Sequence, residues 1–339
     1  MAIDKQQPSP ITISEFPGMN NAGRQSVLPI ILNMDATIDK KLTIRDGCSS
    51  WLTLAGVHSL VSDSINLFCA ATGSSTPESI FRVDPNKGKH EISAITGKGY
   101  PIFYVFLKDR VFMSSKVWCG VYQYATDTIR QWGAMYANDP AIIDSLYSSE
   151  QLITLNVVPA PFMENLCLCG GRIWGSVGNR VYYNDPPLAF EMYRLDTFIE
   201  FGEATSEITM IAKTDTGMYF ANEGTTWFGS GFDPELMKLS VPVGDGALKG
   251  SLQYLLASRK FGNNVPIWTG RTGIFAGVGG KSIPLTLEKV KLLGSGQAAS
   301  LLRMHNGVTQ YLSNFALPSD NTGVQDETTI QVFRKGKLV

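Results

Sequence analysis

Three groupings in this chain have residue types and spacings that could carry chemistry. Cys167-Leu-Cys169 is the only close pair among five cysteines at positions 48, 69, 119, 167 and 169. Two apart on a strand, both thiols leave by one face, as the start of a metal site would need. Zinc takes four ligands, and no second pair or Cys/His couple stands at ligand spacing, so the two read as small hydrophobes on a core strand. His58, His90 and His305 are isolated from one another, and no G-x-S-x-G elbow is present. A Ser–His–Asp set can be gathered from distant positions, but each histidine adjoins an ordinary strand or turn, and hydrolysis is not expected. Gly277-Val-Gly-Gly-Lys-Ser282 superficially matches a phosphate loop, yet the G-x-x-x-x-G-K-[ST] spacing needs glycine where Phe275 stands. Strand-like Ile283-Pro284 follows in place of a helix, so this is a hairpin turn. The expectation is therefore no catalytic residue, no cofactor and no metal.

Gly171–Asp185 puts Arg172-Ile-Trp-Gly and Arg180-Val-Tyr-Tyr on either side of Gly178-Asn179, a hairpin with a cheap turn. The same phrase recurs. Residues 59–71 read as strand, Asp-Ser turn, strand, and 79–85 with 90–95 complete a four-stranded sheet. Residues 102–113 turn at Lys108-Asp109 and are followed by strands at 120–125 and 129–132; further copies occupy 166–183, 208–228, 267–285 and 301–312. Aligned on Ile65, Val111, Ile173, Met218, Ile274 and Val308, the copies are spaced by roughly 35 to 60 residues, which brackets a four-stranded propeller blade of about 40–50 with loop insertions. One blade cannot bury both faces of its sheet, so blades stack around an axis. The expected fold is all-β: a β-propeller of about five to seven irregular blades with an extended N-terminal arm. A β-sandwich is the competing arrangement. Six tryptophans, at 51, 118, 132, 174, 227 and 268, fall about once per copy, as inter-blade packing requires.

Composition agrees. The 339 residues are 44% hydrophobic and 17% charged, which implies a sizeable core under an uncharged-polar surface; 33 glycines and 17 prolines suit many short strands with tight turns. A net charge of −1, without a basic block, argues against generic nucleic-acid binding. The first residues lack the apolar core of a secretory signal. The apolar run 101–107 is too short to span a bilayer, and the cysteines read as reduced. Residues 1–45, with Pro8, Pro10, Pro17 and Pro29, read as an arm and hairpin, 46–318 as the propeller and 319–339 as a C-terminal strand or tail. The hairpin is expected over 33–47. Helix is expected only at 142–147 and at 245–257, where leucines 248, 252, 255 and 256 form a one-sided stripe.

Two resemblances are carried by short stretches. Phe220-Ala-Asn-Glu-Gly-Thr-Thr-Trp227 looks like a degraded Asp-box, the S-x-D-x-G-x-T-W turn of sialidase-type propellers, with Phe220 and Asn222 replacing Ser and Asp; such turns stabilise blades and carry no catalytic residue. More extensively, Phe16-Pro-Gly-Met-Asn-Asn21, Leu28-Pro29, Asn33-Met-Asp35 and Leu42-Thr-Ile-Arg-Asp-Gly47 resemble the opening phrase of a group of tailed-bacteriophage virion propellers. Ile267–Gly280 with Pro284-Leu-Thr286 is similar to a late phrase of that group, although Gly270 replaces its Ser and Val241–Gly246 matches the preceding linker loosely. The resemblance implies a non-enzymatic structural protein of the virion tail, of the nozzle or packaged-DNA stabilisation type. It implies a homo-oligomeric ring, hexameric by the family's symmetry, below portal and adaptor, with DNA passing through without sequence-specific binding and no membrane insertion. Phe16, Pro17, Met19, Asn20, Asn21, Leu28 and Pro29 are then the expected assembly contacts. The inserts near 135–160 and 230–262 are the next candidates. The alternative is a carbohydrate- or receptor-binding propeller of a tail fibre or spike, with aromatics and carboxylates clustered on one face.

Overall fold

The computed structural model describes residues 34–36, 42–44, 53–71, 78–95, 99–133, 157–184, 190–258, 262–286, 295–305, 308–316, 329–334 and 337–338. Among the described residues every regular element is a strand. The hairpin expected over 33–47 pairs β1 (Met34–Ala36) with β2 (Leu42–Ile44).

Six antiparallel meanders follow in chain order. The first sheet is β3 (His58–Ser62), β4 (Leu67–Ala71), β5 (Ser79–Val83) and β6 (Lys89–Ala94). The second is β7 (Phe103–Phe106), β8 (Arg110–Ser114), β9 (Cys119–Gln123) and β10 (Thr128–Gln131). The third runs β12 (Glu164–Cys169), β13 (Arg172–Val177), β14 (Arg180–Asn184) and β15 (Met192–Glu200), with β11 (Val157–Pro159) added outside β15. The fourth is β16 (Met210–Lys213), β17 (Gly217–Ala221), β18 (Thr226–Ser230) and β19 (Lys238–Leu239). The fifth is β20 (Gln253–Ser258), β21 (Gly262–Thr269), β22 (Ile274–Val278) and β23 (Lys281–Pro284). The sixth is β24 (Ser295–His305), β25 (Val308–Ala316), β26 (Thr329–Arg334) and β27 (Lys337–Leu338). The hairpin Gly171–Asp185 is thus β13–β14, with Val177 opposite Arg180; Gly178, at φ 60°, takes a conformation open to glycine at no steric cost.

The chain divides into two compact units, one of residues 50–213 with 229–238, the other of 1–49, 214–228 and 239–339. Within the first unit the sheets stack face to face. Val111 and Met113 of β8 pack with Phe68 and Ile80 of the first sheet, while Phe112 between them packs with Met163, Ile173 and Tyr193 of the third-sheet region. The two-residue period of a strand sends alternate side chains to opposite faces, and the second sheet is buried on both. Trp132 fills the layer between second and third sheets, its ring centroid 4.9 Å from Phe112 and 5.9 Å from Tyr193. Each such side chain contributes about 1.5–3 kcal/mol by leaving water. The first strands β7, β12 and β16 neighbour one another in turn. In the second unit Leu248, Val265, Ile267 and Ile274 form a layer with Tyr311 of β25, and Tyr219 meets Trp268 at 5.8 Å. Meander sheets stacked in chain order, first strand beside first strand, are the blades of a β-propeller. The six sheets among the described residues fall within the expected five to seven.

Three expectations are corrected. The leucine stripe over 245–257 is not a helix: residues 253–258 are strand β20. The amides that a helix would use are spent on neighbouring segments, Ala247 N–H on Asn222 O at 2.9 Å and Leu248 N–H on Thr269 O at 2.8 Å, and Gly250 sits at φ 84°. The fifth sheet therefore starts a strand earlier than expected, and Ile274 lies in its third strand, unlike Val111, Ile173 and Met218 in second strands. Ile65 lies in the β3–β4 turn, 71% exposed; Phe68 takes the place in β4 that Val111 takes in β8. The helix expected at 142–147 lies outside the described residues.

Candidate functional site

The expected contacts Phe16, Pro17, Met19, Asn20, Asn21, Leu28 and Pro29 lie outside the described residues, as do Cys48, Trp51 and most of the insert near 135–160. The insert after β18 is described, and it presents large apolar side chains to solvent. Leu236 is 75% exposed, Leu239 43% and Val241 80%. They are held there by their backbone. Leu236 N–H donates to Asp233 O at 3.1 Å, and Glu235 N–H to Asp233 Oδ1 at 3.1 Å. On either side of Val241, Ser240 N–H donates to Phe228 O and Val243 N–H to Thr226 O, both at 2.8 Å. The main chain is thus fixed where it turns these side chains outward.

The polar constellations act within the fold. First strands carry a bulge at Ser59 in β3 and at Asn165 in β12, both at positive φ, 54° and 53°. Each bulge side chain ties its sheet to the segment entering the next. Ser59 Oγ accepts from Ile102 N–H at 2.8 Å, ahead of β7; Asn165 Nδ2 donates to Ile208 O at 2.8 Å, ahead of β16. Between them, Ser114 Oγ accepts from Met163 N–H at 2.9 Å, ahead of β12. In the second unit Gln253 Nε2 donates to Ser300 O at 2.8 Å.

His58, discounted as a catalytic histidine from sequence, supports the first of these ties. Its Nδ1 lies 2.8 Å from Ser59 Oγ and its Nε2 bonds Glu78, whose second oxygen accepts Gly99 N–H at 2.9 Å. Glu78 is 20 residues away in sequence, which is why no local motif announced the pair. His90, in β6, lies 3.4 Å from Asp84 of the β5–β6 turn. Cys69, Cys119, Cys167 and Cys169 are buried and form no disulfide. Burial pushes Cys119 and Cys169 up to about 11, away from the thiolate that metals and electrophiles require. Gly279-Gly280 is the β22–β23 turn, with Val278 opposite Lys281.

The Asp-box-like stretch performs the turn chemistry that its resemblance implies. Asn222 Oδ1 accepts Gly224 N–H at 2.9 Å and Thr225 N–H at 2.7 Å between β17 and β18. A larger ionic clamp joins the second and third sheets. Glu191, 1% exposed, accepts from Arg130 through both carboxylate oxygens, from Gly133 N–H at 3.1 Å and from Arg110 at 3.4 Å. Nothing in the sequence around Glu191 marks it, because its partners lie 58 to 81 residues earlier.

No family model matches the chain, and no curated protein matches it. Among solved structures it is similar to PorZ, a surface component of the type-IX secretion system of Porphyromonas gingivalis, at 13% identity over 81% of this chain and 33% of that one, with a TM-score of 0.43. It is also similar to the extracellular domain of BT4673 from B. thetaiotaomicron, at 12% identity over 87% and 34%, with a TM-score of 0.46. The chain spans about a third of the length of these two proteins. The N-terminal domain of Nup159 matches at 4% identity over 82% and 76%, with a TM-score of 0.45. Such likenesses assign no activity or partner to this chain.

Proposed function

We propose that this chain is a structural protein of a bacteriophage virion tail. In this reading it is a subunit of a ring, hexameric by the symmetry of the group it resembles, that surrounds the DNA channel below portal and adaptor and helps retain and pass the genome. Its place is the virion, and its primary role is assembly. The two sequence phrases that bracket the chain support the family. The observation that carries the assembly role is the exposed apolar insert after β18, where the backbone holds Leu239 and Val241 outward. The near-neutral net charge suits a channel wall past which DNA slides without adhering. Residues 1–45 provide the second contact, as the proline-rich arm.

The test is assembly of variants with an intact fold. Leu239→Asp and Val241→Asp place charges on exposed positions, where folding is insensitive. Both are expected to leave the melting temperature unchanged and to lower incorporation into tails. Wild-type incorporation of the double variant, or of a chain lacking residues 1–30, sinks the corresponding contact.

A further inference from the structure

Aromatic side chains gather where the second and third sheets begin. Antiparallel pairing places the β8–β9 turn at the end where β7 starts, and β12 lies beside β7. The segment entering β7 presents Tyr100, 40% exposed, and the segment entering β12 presents Phe162, 51% exposed. Trp118 of the β8–β9 turn is partly buried against the layer between the first and second sheets. Lys116 of the same turn bonds Glu207 at 2.9 Å, keeps 55% of its side chain exposed, and lies within electrostatic reach of Tyr100 and of Glu164, two residues after Phe162. The backbone holds both rings in place. Gly99 N–H donates to Glu78 at 2.9 Å and Ile102 N–H to Ser59 Oγ at 2.8 Å, on either side of Tyr100; Met163 N–H, next to Phe162, donates to Ser114 Oγ at 2.9 Å.

On the tail-ring reading, we propose that this face receives residues 8–17 of a second copy of the chain. A closed ring of more than two copies needs a surface given and a different surface received. The segment Pro8-Ser-Pro-Ile-Thr-Ile-Ser-Glu-Phe-Pro17 has three prolines, two isoleucines and a phenylalanine around one charge, Glu15. Proline-bearing segments dock on aromatic side chains because they have little backbone freedom left to lose. Tyr100, Trp118 and Phe162 supply the rings, and Glu15 is opposite in sign to Lys116. Leu236, Leu239 and Val241 of the insert after β18 offer no ring, so the two surfaces suit different partners. Sixteen residues separate Pro17 from Met34, where β1 begins. Extended, they span about 50 Å, enough to reach from one copy to the next.

The experiment uses the full chain with the photoreactive residue benzoylphenylalanine in place of Phe162. Light and heavy-isotope copies are mixed and irradiated, and the crosslinked peptides are mapped by mass spectrometry. The expected crosslinks run from position 162 to residues 8–17 and join light copies to heavy ones. Tyr100→Ser, at an exposed position, is expected to leave the melting temperature unchanged and to lower their yield about five- to tenfold. Replacing Pro8, Pro10 and Pro17 together by serine, which leaves the described sheets untouched, is expected to lower it too. Absence of crosslinks to residues 8–17, crosslinks confined to one copy, or an unchanged yield in both variants overturns the proposal. Copies linked in this way that never close into rings under negative stain support the docking and sink the ring; rings whose crosslinks avoid residues 8–17 do the reverse.

Discussion

Replacing Glu191 by alanine should be among the most damaging single changes in the described part of the chain. The carboxylate is 1% exposed and gathers Arg130, Arg110 and the Gly133 amide between the second and third sheets. Its removal strands the Arg130 guanidinium and the Gly133 N–H, while Arg110 keeps Asp109 at 2.6 Å. Breaking a buried pair by deleting one partner costs about 3–5 kcal/mol. The arginines keep 24% and 18% of their side chains in contact with solvent, so water recovers part of the loss and the low end, about 3 kcal/mol, applies. At roughly 2 °C per kcal/mol for a chain of this size, the melting temperature should fall by about 6 °C. Glu191→Gln keeps the shape and can accept from one arginine, so about half that drop is expected. Because the carboxylate is shielded, 1 M NaCl should leave most of the wild-type advantage in place. The assay is differential scanning fluorimetry at low and high salt, supported by urea titration. A Glu191→Ala melt within 1 °C of wild type, or an advantage that vanishes in salt, would refute the clamp.

Asn222→Ala removes an acceptor shared by two turn amides and should cost about 1–2 kcal/mol; Asn222→Asp keeps the acceptor and should be close to neutral by the same melt. Burial raises Tyr219 and Tyr311 to about 12. Since the unfolded phenol titrates near 10, the unfolded chain loses these protons first. Their stabilisation is complete below pH about 10 and is lost as pH rises towards 12, so tyrosinate absorbance near 295 nm should rise cooperatively with alkaline unfolding. Smooth titration of all tyrosines near pH 10 in a folded chain would contradict this. Cys69, Cys119, Cys167 and Cys169 should resist iodoacetamide at pH 8 until denaturant is added, as peptide mapping would report.

Much of the blade pattern was legible in the residues because it is local. Lys108-Asp109 and Gly178-Asn179 separate strands whose registers follow from the turn, and alternation along Val111-Phe112-Met113 follows from strand geometry. The first strand of the fifth sheet was not legible. Leucines at 248, 252, 255 and 256 have helical spacing, and only tertiary hydrogen bonds to Asn222 and Thr269 reveal that the segment is pulled out straight. The same holds for the sites. Asn222 was readable because its partners lie two and three residues on. The His58–Glu78 pair and the Glu191 clamp join residues 20 to 81 positions apart, and nothing in their immediate neighbours sets them apart.

The central claim, that this propeller works by building a tail ring, is tested most directly by negative-stain electron microscopy of the purified chain, alone and mixed with the virion's portal–adaptor complex. Rings of uniform symmetry, formed alone or on the adaptor, are the predicted result, and would give the copy number directly. Single particles that leave the adaptor bare at all concentrations would contradict it.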